Sequence, residues 1–269
     1  MRARRRVGTW ALALAVYGFL LAPLVVVAAA SLDVSQSLFV NFPPRALGLR
    51  WYREIPAKYV SALLVSGSAA TIASAVAAVL GVTAALGIVR GRVAWAEPVR
   101  AFFRAPLQIP FVVTGVVFLQ FYYALYAVTG IGLAGSLPGL VLAYVLIGTP
   151  YTVGTVGAVL ERVNPRLDEA AAILGATRWS TFRRVTLPLI APGIYAGMLY
   201  AFIVAFGDVP ISIFLSSPDY MTLPVEIFQI LQFDFHPSVL AISTLIVAVS
   251  VVALSLIQRL VGLDAGLRG

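Results

Sequence analysis

Long uncharged runs separated by short polar stretches dominate this chain. No charge lies between Arg6 and Asp33, from Tyr59 to Val89, or from Ala105 to Leu160, and two more uncharged runs cover 185–207 and 237–258. Crossing a bilayer takes about 20 apolar residues, so each run predicts one membrane helix. The run 105–160 is long enough for two, divided by the Gly- and Pro-rich turn 130–139. The expected spans are 10–30, 61–89, 106–128, 138–160, 187–207 and 238–259, six in all. An even count places both chain ends on one side. The pattern therefore predicts an all-α polytopic membrane protein with a single transmembrane domain over 1–269.

Composition supports this. The chain is 61% hydrophobic and 11% charged, with a mean hydropathy of +0.96. A soluble domain has about 25% charged residues and could not hide this much apolar surface, so the bilayer is the solvent for most of it. There are no cysteines, which excludes disulfides and thiol chemistry. The basic residues Arg2, Arg4, Arg5 and Arg6 followed by an apolar run resemble a secretory leader. The run 10–30 is longer than the typical leader core of about 7–15 residues, so it is expected to remain as the first span.

The net charge of +8 bears on orientation rather than on nucleic acid. With the N-terminus inside, the inner segments hold Arg2, Arg4, Arg5, Arg6, Arg90, Arg92, Arg100, Arg104, Arg162, Arg166, Arg178, Arg183, Arg184, Arg259 and Arg268. Only Arg45, Arg50, Arg53 and Lys58 of the 19 basic residues fall outside. The positive-inside rule favours this arrangement. The outer stretch 208–236 then carries Asp208, Asp219, Glu226 and Asp234 with no Lys or Arg.

The polar stretch 161–188 breaks the pattern. It carries five arginines and sits between the fourth and fifth spans, on the inner side. A connection this long between packed helices usually has a function. Asn164-Pro165 suits a helix start, and Asp168 and Glu169 suit its positive end. Ala170, Ala171 and Ala172 form helix with little bulk, and Gly175 can end it in the left-handed conformation. A second helix is expected over 178–185, with Trp179 and Phe182 on one face, and Pro188 opens the fifth span. Two short helices at an angle would make a compact docking knob for a soluble partner.

Glu169-Ala170-Ala171, then Gly175 after three residues, then Val185, Leu187 and Pro188 resemble the EAA loop of binding-protein-dependent ABC importer permeases. Members often have Ile where this chain has Val185. The resemblance covers nearly the whole chain and implies the type I importer permease fold. It also implies that Glu169, Ala170, Ala171, Gly175, Leu187 and Pro188 couple the chain to ATPase subunits. ATP and Mg would bind those partners, leaving no cofactor in this chain. Further expected partners are a second permease, giving a heterodimeric pore, and an external solute-binding protein. The location implied is the bacterial inner membrane, with both termini cytoplasmic. Asp208-Val209-Pro210-Ile211-Ser212, Ser217-Pro218-Asp219-Tyr220, Thr222-Leu223-Pro224 and Trp51-Tyr52 resemble the spermidine/putrescine-type branch. That branch commonly has two adjacent acids where this chain has Gly207-Asp208. The departure widens the expected solutes from polyamines to related small organic solutes, such as aminophosphonates and opine-like compounds.

Three residues are candidates for the solute path. Asp208, at the outer end of the fifth span, either attracts a cation along the path or is a helix-end acid facing water. Tyr122 and Tyr126 are four apart on the third span, near Gln120 and Tyr123, and either line the path or pack. Gly193 and Gly197 are expected to permit close helix packing. His236 is the only histidine and is expected at the membrane interface; a metal site would need several such ligands. No nucleophile–base set, P-loop or Gly-rich nucleotide motif occurs, so catalysis is not expected of this chain. The rival reading is an ion-gradient-driven secondary transporter, which would be expected to carry paired ionisable groups inside its spans.

Overall fold

A bilayer offers no hydrogen-bond partners, so each crossing segment must satisfy its own backbone, and helix is the local solution. The computed structural model describes residues 2–35, 41–91, 95–233 and 236–261, with side chains described from Trp10 to Val251 except Ala11. Arg92, Asp234 and Arg268 thus lie outside the described residues, and the side chains of Arg2, Arg4, Arg5, Arg6 and Arg259 are not described. The described residues form twelve α-helices: α1 (Arg2–Ala30), α2 (Arg50–Arg53), α3 (Ala57–Arg90), α4 (Ala96–Arg104), α5 (Phe111–Thr129), α6 (Leu137–Leu160), α7 (Arg166–Ile173), α8 (Arg178–Thr181), α9 (Leu187–Phe206), α10 (Ser212–Leu215), α11 (Leu223–Phe233) and α12 (Ser238–Val261).

The six expected spans correspond to α1, α3, α5, α6, α9 and α12. The first five are long and apolar enough to cross a bilayer. The sixth, α12, has 24 residues. The third starts at Phe111 rather than at 106, because Pro106 lies in a 3₁₀ turn over Ala105–Gln108 and Pro110 caps α5. Prolines lack the amide that an uninterrupted helix would need there. Helices also form between the spans. The amphipathic α4 buries no residue and is too short to span, while α10 and α11 fill much of the stretch after Asp208.

The chain divides into two compact units, 1–59 with 229–269, and 60–228. In the first, α1 and α2 each pack against α12. The loop after α1 folds back through an Asp33–Leu47 bridge, with Val34 N donating to Ala46 O and Gly48 N to Leu32 O, both at 2.8 Å. Asp33 organises this loop. Its carboxylate accepts from Ser35 N (3.0 Å), Asn41 Nδ2 (3.0 Å) and Ala46 N (3.2 Å). The Ser35 amide foremost, with the Ser35 hydroxyl, Asn41 and the Ala46 amide, holds the carboxyl well below the usual carboxylate range against the opposing effect of burial. Buried Trp51 donates Nε1–H to Asp33 O at 2.7 Å and meets His236 edge-on, 5.4 Å between ring centroids.

In the second unit α6 packs along α9. Alanines of α3 (Ala69, Ala70, Ala73) join Tyr122, Leu140, Tyr144, Ile147, Ala205, Ile211 and Leu215 in one core cluster; Val82, Ala85, Val156, Leu160 and Ile190 form another. Small residues let these helices approach closely. A Cβ at Gly197 would lie 2.7 Å from Thr152 Cα, and one at Gly193 2.9 Å from Thr155 O. The expected Gly193/Gly197 contact therefore exists, and its partner is α6. Thr152 Oγ1 donates across to Ala77 O at 2.7 Å, tying α6 to α3. Ser136 caps α6 by accepting from Gly139 N at 3.2 Å.

Candidate functional site

The stretch between α6 and α9 folds from local signals. Asn164 Oδ1 accepts from Arg166 N at 3.0 Å, and Pro165 sits at the N-cap of α7, with Asp168 and Glu169 in the first turn. The helix ends in paired bonds, Ala176 N to Ala171 O and Gly175 N to Ala172 O, each 3.0 Å. This closure requires a left-handed residue, and Gly175 has φ +80°. Thr177 then caps α8, accepting from Ser180 N at 3.2 Å.

The second loop helix is not separate, as 178–185 alone would imply. α8 passes through a π turn over Phe182–Thr186 directly into α9, so the knob is a rigid extension of the fifth span. Leu187 and Pro188 form the first turn of α9. Trp179 and Phe182 pair as expected, with ring centroids 5.6 Å apart.

The surface of this knob is chemically unusual. Ile173 and Leu174 are 86% and 88% exposed, and Trp179 is 67% exposed. Glu169 and Ala170 are exposed, and Ala171 is half-buried. Apolar side chains clustered on a polar loop, beside small alanines and a free acid, suit the seat of another protein.

The base of the knob is fastened by contacts that sequence reasoning missed. Asp168 Oδ1 accepts from Thr186 Oγ1 at 3.0 Å, and its Oδ2 lies 3.7 Å from Arg90 Nε at the end of α3. Arg90 Nη2 donates to Val163 O at 2.9 Å. Arg100 Nη1 of α4 pairs with Glu161 Oε1 at 2.7 Å, beside a cavity of about 110 Å³ lined also by Val89, Phe103 and Pro150. The sequence signal was slight: Arg90 is merely the charge that ends an apolar run, and Asp168 already had a local role at the helix start.

The path candidates separate. Tyr122 is a core residue, with its hydroxyl donating to Gly139 O at 2.7 Å, whereas Tyr126 is 58% exposed. Four-residue spacing does not give these two rings a common environment. Asp208 does not face water: it is 4% exposed. Its Oδ2 accepts from Ile211 N (3.1 Å), Ser212 N (2.8 Å) and Ser212 Oγ (2.8 Å), holding the start of α10. Ser212 Oγ also meets Tyr144 OH of α6. Asp208 Oδ1 is buried without a hydrogen-bond partner among the described residues. An acid followed two residues later by Pro210 is itself a helix-start signal.

Residues 77–264 match the family described as binding-protein-dependent transport system inner membrane component. The chain is 32% identical over 233 residues to the putrescine transport system permease protein PotI of Escherichia coli (strain K12), covering 86% of this chain and 82% of PotI. It is 27% identical over 245 residues to the spermidine/putrescine transport system permease protein PotC of Haemophilus influenzae, covering 90% and 92%. A probable molybdenum ABC transporter permease protein of Haloferax volcanii is 31% identical over 194 residues, covering 71% and 72%. Among solved structures, a chain of a bacterial ABC transporter involved in the import of the acidic polysaccharide alginate superposes with a TM-score of 0.75 at 15% identity, over 96% of this chain and 98% of that one.

Proposed function

This chain belongs to the binding-protein-dependent transport system inner membrane component family and is a multi-pass ABC importer permease, and from that premise we propose how it couples and what it carries. The knob built by α7, Gly175 and α8 seats in a partner ATPase subunit. Glu169, Ala170, Ala171 and Gly175 form the docking face, and Leu187 and Pro188 carry its motion into α9. The observation that carries this reading is the exposure of three large apolar side chains, Ile173, Leu174 and Trp179, on a loop that is otherwise polar.

The remaining parts follow from the same reading. Loop and termini face the cytoplasm, where most of the basic residues fall. A pair of ATPase subunits binds ATP and Mg and hydrolyses ATP, since this chain carries no nucleotide motif. A second permease completes a heterodimeric pore, and an external binding protein delivers the solute. ATP-driven closure moves the knob, and α9, continuous with it, moves as a rigid body.

The proposed solute is a small organic cation of the polyamine kind. PotI and PotC are named for putrescine and spermidine. The feature of this chain that supports a cation is Asp208 Oδ1, a buried carboxyl oxygen with no hydrogen-bond partner among the described residues. Tyr126 offers an exposed ring that a cation could pass, with Tyr122 holding the helix behind it.

The test is purification of the tagged chain in mild detergent, followed by uptake in proteoliposomes. Recovery of an ATPase and a second permease, with ATP-dependent uptake of putrescine or spermidine, is expected. Uptake by the chain alone without ATP would refute the reading. Saturable transport of an aminophosphonate in place of polyamines would refute the solute assignment only.

A further inference from the structure

The knob is continuous in sequence with two membrane helices, α6 before it and α9 after it. A third, α3, ends against it in space. Arg90, the last residue of α3, reaches the loop at two points: its Nη2 donates to Val163 O at 2.9 Å, and its Nε lies 3.7 Å from Asp168 Oδ2. The side chains of Arg90 and Asp168 are 20% and 33% exposed, so the pair is partly shielded from water. The other oxygen of Asp168 accepts from Thr186 Oγ1, at the end of the π turn that leads into α9. One carboxylate thus joins α7, the root of α9 and the end of α3. Glu161, at the end of α6, pairs with Arg100 Nη1 of α4 at 2.7 Å.

We propose that Asp168 and Arg90 form a strap that makes α3 a driven helix: when the ATPase moves α7, α3 moves with it through this ion pair. Asp168 is a positioning residue, since it lies behind the docking face rather than on it. The inference rests on the docking reading above. The physical argument is one of stiffness. A helix joined to the knob only by packing can slip past it. Arg90 Nε and Asp168 Oδ2 are at ion-pair rather than hydrogen-bond distance, and each partner is fixed by its own hydrogen bond, Arg90 Nη2 to Val163 O and Thr186 Oγ1 to Asp168 Oδ1, so sliding of α3 past the knob would separate two held, partly shielded charges.

The complete importer, purified with its ATPase, second permease and binding protein, tests this. Three quantities are measured for Asp168→Asn, Arg90→Met and the double variant: recovery of the ATPase subunit, ATP hydrolysis stimulated by solute-loaded binding protein, and solute taken up per ATP. The expected result is wild-type recovery and hydrolysis with uptake per ATP lowered about fivefold in each single variant. The double variant should be no worse than either single one, because both remove the same contact. Arg90→Lys, which keeps the charge, should retain most of the uptake per ATP. Unchanged uptake per ATP in both single variants, or losses that multiply in the double, would overturn the strap. Lower ATPase recovery in the variants would also overturn it, by showing that the pair only maintains the docking shape. Failure of the wild-type complex to hold any ATPase subunit would strike the docking reading itself.

The chain has no cysteine, so it can be purified and spin-labelled at introduced sites before the complex is assembled. Labels at Gly87→Cys, where a Cβ meets nothing within 4 Å, and at exposed Arg166→Cys report the distance between α3 and α7. That distance should be the same in nucleotide-free and ATP-trapped wild-type complex and should differ between the two states in Asp168→Asn. A change between states in the wild type would show that α3 does not follow the knob.

Discussion

Ser212 Oγ donates to Asp208 Oδ2 at 2.8 Å, and the same hydroxyl meets Tyr144 OH, so one serine links the end of α9 to the wall of α6. The linkage separates two roles of Asp208. One oxygen is structural and holds α10; the other is unengaged among the described residues. Asp208→Ala removes both and should lower stability by about 2 kcal/mol, as expected when buried donors lose their acceptor. Asp208→Asn can keep an acceptor toward Ser212 while losing the charge. It should leave thermal stability near wild type and lower polyamine uptake about tenfold, roughly 1.4 kcal/mol of transition-state stabilisation. Thermal unfolding in detergent and uptake in proteoliposomes read the two effects, and wild-type uptake by Asp208→Asn would remove Asp208 from the solute path.

The docking face gives a second prediction. Gly175 holds φ +80° and Glu169 is exposed, so neither buries surface within the chain. Gly175→Pro cannot adopt that φ and removes the amide bonded to Ala172 O. It should lower ATP-driven uptake strongly while the chain still inserts, and Glu169→Lys should do likewise. Membrane fractionation with uptake assays checks both, and normal transport by either variant would contradict the docking role.

Gly197→Val should be the most damaging single change in the α6–α9 seam. Its Cβ would meet Thr152 Cα at 2.7 Å and Thr155 Oγ1 at 2.6 Å, and backbone cannot give way as a flexible side chain can. The expected loss is about 3 kcal/mol, the upper part of the range for overpacking. A fall in unfolding temperature measures it, with Gly154→Val as control, since a Cβ there meets nothing within 4 Å.

The loop after α1 should respond to acid. Asp33 has a folded-state carboxyl held below its ordinary value of 3.8, so its contribution is present above that pH and is lost as pH falls below it. Trp51, whose Nε1–H bonds Asp33 O, is the natural reporter. In a variant keeping only this tryptophan, its fluorescence should hold at pH 3.8 and shift only well below it, as pH falls through the lowered folded-state value, and Asp33→Asn should show the shifted signal already at neutral pH. A profile identical in the two proteins would show that the carboxylate does not hold the loop.

What the sequence determined by itself was everything that one segment of chain decides. Uncharged runs long enough to cross a bilayer became α1, α3, α5, α6, α9 and α12, because in lipid a helix is the only local way to satisfy the backbone. The loop from Asn164 to Thr181 was equally legible, since Pro165 at a helix start and a left-handed Gly175 at its end act within a few residues. The spacing of Glu169, Gly175 and Pro188 identified the family for the same reason. What only the tertiary structure decided was which polar group meets which across long separations. Tyr122 and Tyr126 share a helix but not an environment, because α6 covers one and not the other. Asp208 is buried under Ser212 and Tyr144 rather than hydrated, and Asp168 serves α3 as well as its own helix. These outcomes depend on the crossing of helices far apart in the chain, set by small residues such as Gly197 and Ala77, and no local periodicity encodes the partner that packing brings.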